Sequence, residues 1–258
     1  MLWLIALAFA HSPHDVVRSL SVSRGQLVLG EDTRMAWSED NGETILHGDS
    51  PGGVPDCLAA VSGTPGGVVL VTDTPAAFVS ADGGASWSAL DLDGPAACAP
   101  GASGALVADA TGVHRLGVSH DELVVADPLA VTALAESPEG TVIAITRAGA
   151  LLQSRESGWQ SLGIGPYTAI TAGGGVLLRA SALGIEVSRD EGDSWSFVSD
   201  IPATTLGAGP TAWMATTNED GVWTSEDQGE TWVADRNGLE ELATGSGGGR
   251  NPLVQPGG

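Results

Sequence analysis

An eight-residue pattern, Ser-x-Asp-x-Gly-x-[Ser/Thr]-Trp, occurs without exception at 80–87, 188–195 and 225–232. A fourth copy at 38–45 replaces only the tryptophan, and a shortened fifth at 154–159 carries Glu156 in place of aspartate. The acids stand at 40, 82, 156, 190 and 227, giving intervals of 42, 74, 34 and 37. Because 74 is twice 37, one unit near residue 119 has lost its signature. Prolines at 13, 55, 95, 128, 166 and 202 test this independently, with spacings of 42, 40, 33, 38 and 36. Pro95 and Pro128 bracket the missing unit, where Gly112-Val113 matches Gly184-Ile185 and Gly221-Val222 of other units. Six units follow, and Leu242-Ala243-Thr244-Gly245 could open a seventh.

A repeat of this length decides the architecture. In the fifth unit, runs at 168–172, 176–180, 185–188 and 195–198 have strand character and are separated by glycine clusters and the acidic turn. No stretch keeps a helical period over three turns. Four short strands in a unit of about 37 residues are the signature of a propeller blade. The expectation is an all-β fold, a β-propeller of four-stranded antiparallel blades, with six blades and seven as the alternative. The apolar run 2–10 is too short to cross a bilayer and has the size of a signal-peptide core, with Ala8 and Ala10 as the small residues before cleavage. The chain therefore divides into a signal peptide at 1–10, one propeller domain at 11–237 and a Gly-rich tail at 238–258.

The pattern explains itself as a turn. Aspartate and serine oxygens accept hydrogen bonds from nearby backbone N–H groups, glycine supplies a positive φ, and the tryptophan buries its ring. These segments resemble the Asp-box, or bacterial neuraminidase repeat, over roughly residues 13 to 237. That repeat occurs in sialidases, sortilin-type receptors, xyloglucan-degrading glycosidases and the photosystem II assembly factor family. The resemblance implies a box between the third and fourth strands of a blade, on the outer rim. It also implies structural roles for Ser38, Asp40, Gly42, Ser80, Asp82, Gly84, Trp87, Glu156 and Trp159. The same holds for Ser188, Asp190, Gly192, Trp195, Ser225, Asp227, Gly229 and Trp232.

Composition narrows the function. The chain carries 32 acidic and 10 cationic side chains, all ten arginine, for a net charge of −22. Such a surface repels phosphate, which argues against nucleic acid as a partner. A sialidase-like site needs converging arginines and a tyrosine nucleophile, whereas Tyr167 is the only tyrosine and the arginines are scattered in repeat phase. Acids recur in the connections entering the inner strands, at Asp49, Asp56, Asp91, Asp93, Asp127, Asp200 and Asp235. With Tyr167 they form a candidate axial binding face, read alternatively as turn chemistry and solubility. His11 and His14 could chelate copper or zinc at a mature N-terminus, though Pro13 fills the ordinary proline slot of the repeat. Cys57 and Cys98, 41 residues apart, begin the inner strands of adjacent units and are either a disulfide or two buried thiols.

The functional expectation is an exported, non-catalytic scaffold, secreted or periplasmic, similar to the single-domain photosystem II assembly factors. It would be a monomer with a protein partner, no cofactor and no membrane span once the signal is removed. The alternative is a secreted glycosidase or a lectin, with carbohydrate as the ligand.

Overall fold

The structure is a computed structural model, and it describes residues 19–23, 26–30, 34–38, 44–117, 121–126, 130–156, 158–217 and 221–235. These form six four-stranded antiparallel sheets, each a simple meander. Sheet 1 contains β1 (Ser19–Ser23), β2 (Gln26–Gly30), β3 (Arg34–Ser38) and β4 (Leu46–Asp49). Sheet 2 contains β5 (Pro55–Ala60), β6 (Val68–Thr72), β7 (Ala77–Ser80) and β8 (Ser88–Leu90). Sheet 3 contains β9 (Ala97–Gly101), β10 (Gly104–Ala108), β11 (Val113–Leu116) and β12 (Asp121–Val125). Sheet 4 contains β13 (Val131–Glu136), β14 (Val142–Thr146), β15 (Ala150–Arg155) and β16 (Gly158–Ile164). Sheet 5 contains β17 (Tyr167–Gly173), β18 (Val176–Ser181), β19 (Gly184–Ser188) and β20 (Ser196–Ser199). Sheet 6 contains β21 (Thr205–Ala208), β22 (Trp213–Thr217), β23 (Gly221–Ser225) and β24 (Val233–Asp235).

Consecutive sheets meet through their first strands, β1 on β5, β5 on β9, β9 on β13, β13 on β17 and β17 on β21. First strands therefore lie innermost and fourth strands outermost, as in the blades of a propeller. Burial follows from this. The second strands β6, β10 and β14 are buried at every residue because neighbouring sheets cover both of their faces, so they read as continuous apolar runs instead of alternating ones. Sheet 6 differs. Trp213 and Ala215 of β22 pack against sheet 5, while Met214 on the opposite face is only half-buried.

The all-β propeller of four-stranded antiparallel blades expected from the repeat is the observed architecture. The unit that lost its signature folds as sheet 3 like the others. A seventh sheet is absent among the described residues. Tryptophan was expected to begin the fourth strand, but β8, β20 and β24 each start one residue after Trp87, Trp195 and Trp232. The ring packs inward on the turn instead of joining the ladder, and in Trp195 the indole N–H donates to the Gly192 carbonyl at 3.0 Å. The expected signal peptide, the Gly-rich tail, His11 and His14 lie outside the described residues, as do Asp40, Gly42 and Asp127. Among the described residues no helix is long and apolar enough to cross a membrane.

Candidate functional site

The recurrent turns join third to fourth strands, at one end of the sheets. In the second sheet the Ser80 hydroxyl donates to Asp82 Oδ1 at 2.8 Å and accepts from the Gly84 N–H at 2.8 Å. The same carboxylate accepts from the Ser86 N–H at 2.8 Å and from its hydroxyl at 2.6 Å. The turn at Ser188 repeats this through Asp190, Gly192 and Ser194, and the turn at Ser225 repeats it through Asp227, Gly229 and Thr231. Asp82, Asp190 and Asp227 are held below the ordinary carboxylate range, chiefly by the hydroxyls of Ser86, Ser194 and Thr231. Gly84, Gly192 and Gly229 have φ of 99°, 96° and 91°, where a side chain is strained.

These turns also fasten each sheet to the one before it. Trp87 packs with Trp37 and Val28 of sheet 1, and Trp195 with Ile143 and Leu162 of sheet 4. Trp232 packs with Val198 of sheet 5. Gln153 Nε2, from sheet 4, donates to the Glu191 carbonyl at 2.7 Å, and Arg155 Nη2 donates to Asp193 Oδ1 at 2.7 Å. The serine and aspartate side chains that define these turns are thus directed at their own loop, and Glu191 and Asp193 accept hydrogen bonds from the adjoining sheet.

The shortened copy does not build this turn. With two residues fewer, β15 and β16 pair directly up to Arg155 and Gly158. Ser154 Oγ accepts from the Val142 N–H at 2.8 Å, and Glu156 is exposed in the tight connection. The expected structural role of Glu156 as an aspartate substitute is therefore corrected, while Trp159 still packs on the core between sheets 3 and 4. In the first copy, Ser38 is buried at the end of β3.

The opposite end of the sheets carries the connections into the first strands. Asp49, Asp56, Asp91, Asp93 and Asp200 are exposed there, and Asp235 ends β24. Tyr167 does not join them as a free binding group. Its ring lies over the Arg179 guanidinium, 4.9 Å from ring centroid to Cζ, and that guanidinium also sits 4.3 Å from the Trp195 ring. Tyr167 is partly buried and packs against the core between sheets 4 and 5. Cys57 and Cys98 are joined by a disulfide with a Cα–Cα distance of 5.8 Å, tying β5 to β9.

Two polar clusters were invisible in the sequence because their members are distant or carry no motif. Glu136, with a fully buried side chain, pairs with Arg115 Nη2 across sheets 3 and 4 and accepts from the Ala102 N–H. Breaking such a buried pair costs about 3–5 kcal/mol. The second cluster lies in sheet 3. His114 Nδ1 is 2.8 Å from Asp121 Oδ1, and its Nε2 is 2.8 Å from Thr111 Oγ1 and 3.2 Å from Asp109 Oδ1. Hydroxyl, imidazole and carboxylate are thus spaced like a nucleophile, its base and an orienting acid. However, the Thr111 hydroxyl donates to Asp109 at 2.7 Å, and that carboxylate stands beside the hydroxyl where an oxyanion would need donors. The cluster is a clamp on the turn from β10 to β11. Burial alone would push the Asp109 carboxyl up. The Thr111 hydroxyl, the N–H groups of Thr111 and Asp93, and His114 outweigh it and hold the carboxyl below its ordinary range. Among the described residues, no group of three or more His, Cys, Asp and Glu is arranged to hold a metal.

Beside Asp109, a shallow cleft of about 310 Å³ opens between sheets 3 and 4 on the face that carries the exposed acids. Apart from Asp109, its walls are alanine, glycine and one valine.

No family model and no curated protein sequence matches this chain. Solved structures match it in fold. YCF48 from Cyanidioschyzon merolae is similar with a TM-score of 0.64 and 13% identity, over 87% of this chain and 86% of that one. A structure of YCF48 bound to a D1 peptide is similar with a TM-score of 0.67 and 16% identity, over 88% and 84%. A catalytically inactive virginiamycin B lyase from Staphylococcus aureus, with quinupristin, is similar with a TM-score of 0.67 and 12% identity, over 89% and 87%. At these identities the likeness is one of fold, and that fold carries both binding proteins and an enzyme.

Proposed function

We propose that this chain is an exported, non-catalytic propeller that binds a protein partner through a segment of polypeptide. The observation that carries this reading is the likeness, over most of both chains, to a propeller whose structure holds a bound peptide. The tied-up carboxylates of the recurrent turns support it, because the most regular acids of the sequence are engaged within their own loops. On this reading the turns are Asp-boxes, the six sheets are six blades, and the protein works as a monomer. The Cys57–Cys98 disulfide supports export, since such bonds persist in oxidising compartments.

The test presents the immobilised full chain with a random short-peptide display library and, separately, with sialosides and xyloglucan fragments. Enrichment of peptides with no glycan retained or cleaved is the expected result. Hydrolysis or tight retention of a glycan, with no peptide enriched, would overturn the reading in favour of a carbohydrate-active protein.

A further inference from the structure

The cleft between sheets 3 and 4 owes its existence to one position. Val131 begins β13 opposite Thr146, and Tyr167 begins β17 opposite Ser181, each followed by the same register shift. Val131 and Tyr167 are therefore equivalent in register. Between sheets 4 and 5 the Tyr167 ring and Arg179 fill the junction. Between sheets 3 and 4 the shorter Val131 is itself buried and leaves the space above it open. The exposed walls are Gly94, Ala96, Ala110 and Ala130, none of which carries a side chain larger than a methyl group, and the buried Asp109 also lines the cleft.

The rim is charged unequally. Asp91 and Asp93 are exposed on the connection that supplies Gly94, with the Asp93 N–H fixed on Asp109 Oδ2 at 3.0 Å. Arg147 is exposed on the opposite side, its N–H bonded to the Ala130 carbonyl at 2.7 Å. The connections flanking the cleft thus carry two exposed carboxylates on one side and one exposed guanidinium on the other, with Asp109 itself among the lining residues, on a molecule of net charge −22.

We propose that this cleft receives one apolar side chain of an extended peptide segment, with a lysine or arginine next to it on the side of Asp91 and Asp93. The inference rests on the protein-binding reading and gives it a location. The ligand's side chain supplies the ring or branched group that Tyr167 supplies one junction further on. An apolar anchor in a concave site flanked by opposite charge is a common form of peptide recognition.

The experiment takes the peptides enriched on the full chain and measures their affinity for the wild-type protein, Ala130→Trp, Ala96→Leu and Asp93→Asn. Ala130 and Ala96 are exposed, so a larger side chain there fills the cleft without entering the core, and the melting temperature of each variant checks this. The expected result is a ligand motif of one apolar residue beside lysine or arginine. Affinity should fall about tenfold or more in at least one cleft-filling variant that keeps its fold, matching the loss of one buried apolar side chain. Asp93→Asn should weaken binding less and reduce its dependence on salt. Peptides that bind the folded cleft-filling variants as tightly as wild type would overturn the inference while leaving the protein-binding reading intact. Failure to enrich any peptide would overturn both.

Discussion

Asp82 stabilises its turn as a carboxylate and not as a carboxylic acid. Its carboxylate accepts three hydrogen bonds, from the Ser80 hydroxyl, the Ser86 N–H and the Ser86 hydroxyl. The folded state therefore binds a proton more weakly than the unfolded chain, whose aspartates titrate near about 3.9. The resulting stability is fully present above that value and is lost as the pH falls through the lowered folded-state value. Wild type should melt a few degrees above Asp82→Asn at neutral pH, and the two should converge as the pH falls below the lowered folded-state value, followed by circular dichroism. A gap that stays constant with pH would show that the charge of the carboxylate is irrelevant. The serine, the acid and the glycine two residues after it were legible in the sequence because each residue type has one local use. The residue between acid and glycine was not. Glu191 and Gln228 adopt φ of 62° and 59°, a left-handed conformation that neither residue type announces.

Strands were legible where burial forces a pattern. The runs expected in the fifth unit coincide with β17 to β20 within one or two residues, because glycine punctuates them on both sides. Sheet 3 was legible only through its proline spacing and Gly112-Val113, since the turn before β12 has no acidic motif. What could not be read was which junction each large side chain would fill. Nothing in the sequence places the Arg179 guanidinium between the Tyr167 and Trp195 rings, and the cleft above Val131 is an absence that no residue marks. The Cys57–Cys98 bond belongs to this scale, because it closes a 41-residue separation between two innermost strands. In the chain-entropy account, closing such a loop is worth about 4 kcal/mol. Replacing both cysteines by alanine should lower the unfolding free energy by that order in urea titrations. A change near zero would mean that the packing of β5 on β9 already holds the two sheets in register.

Across the whole molecule, charge and packing divide the two ends of the sheets between different tasks. At one end, Asp82, Asp190 and Asp227 point into their loops, and Trp87, Trp195 and Trp232 anchor each sheet to its predecessor. At the other end, the exposed Asp91 and Asp93 lie on the connection that supplies one side of a cleft lined mostly by small apolar residues. The division makes the regular motif a fastening, and the proposed function assigns recognition to residues outside the repeat pattern. Combining Asp82→Ala, Asp190→Ala and Asp227→Ala, then measuring melting temperature and peptide affinity on the same preparation, tests this most directly. The account expects a lower melting temperature with peptide affinity unchanged at a temperature where the variant is folded; an unchanged melting temperature with affinity lost would contradict it.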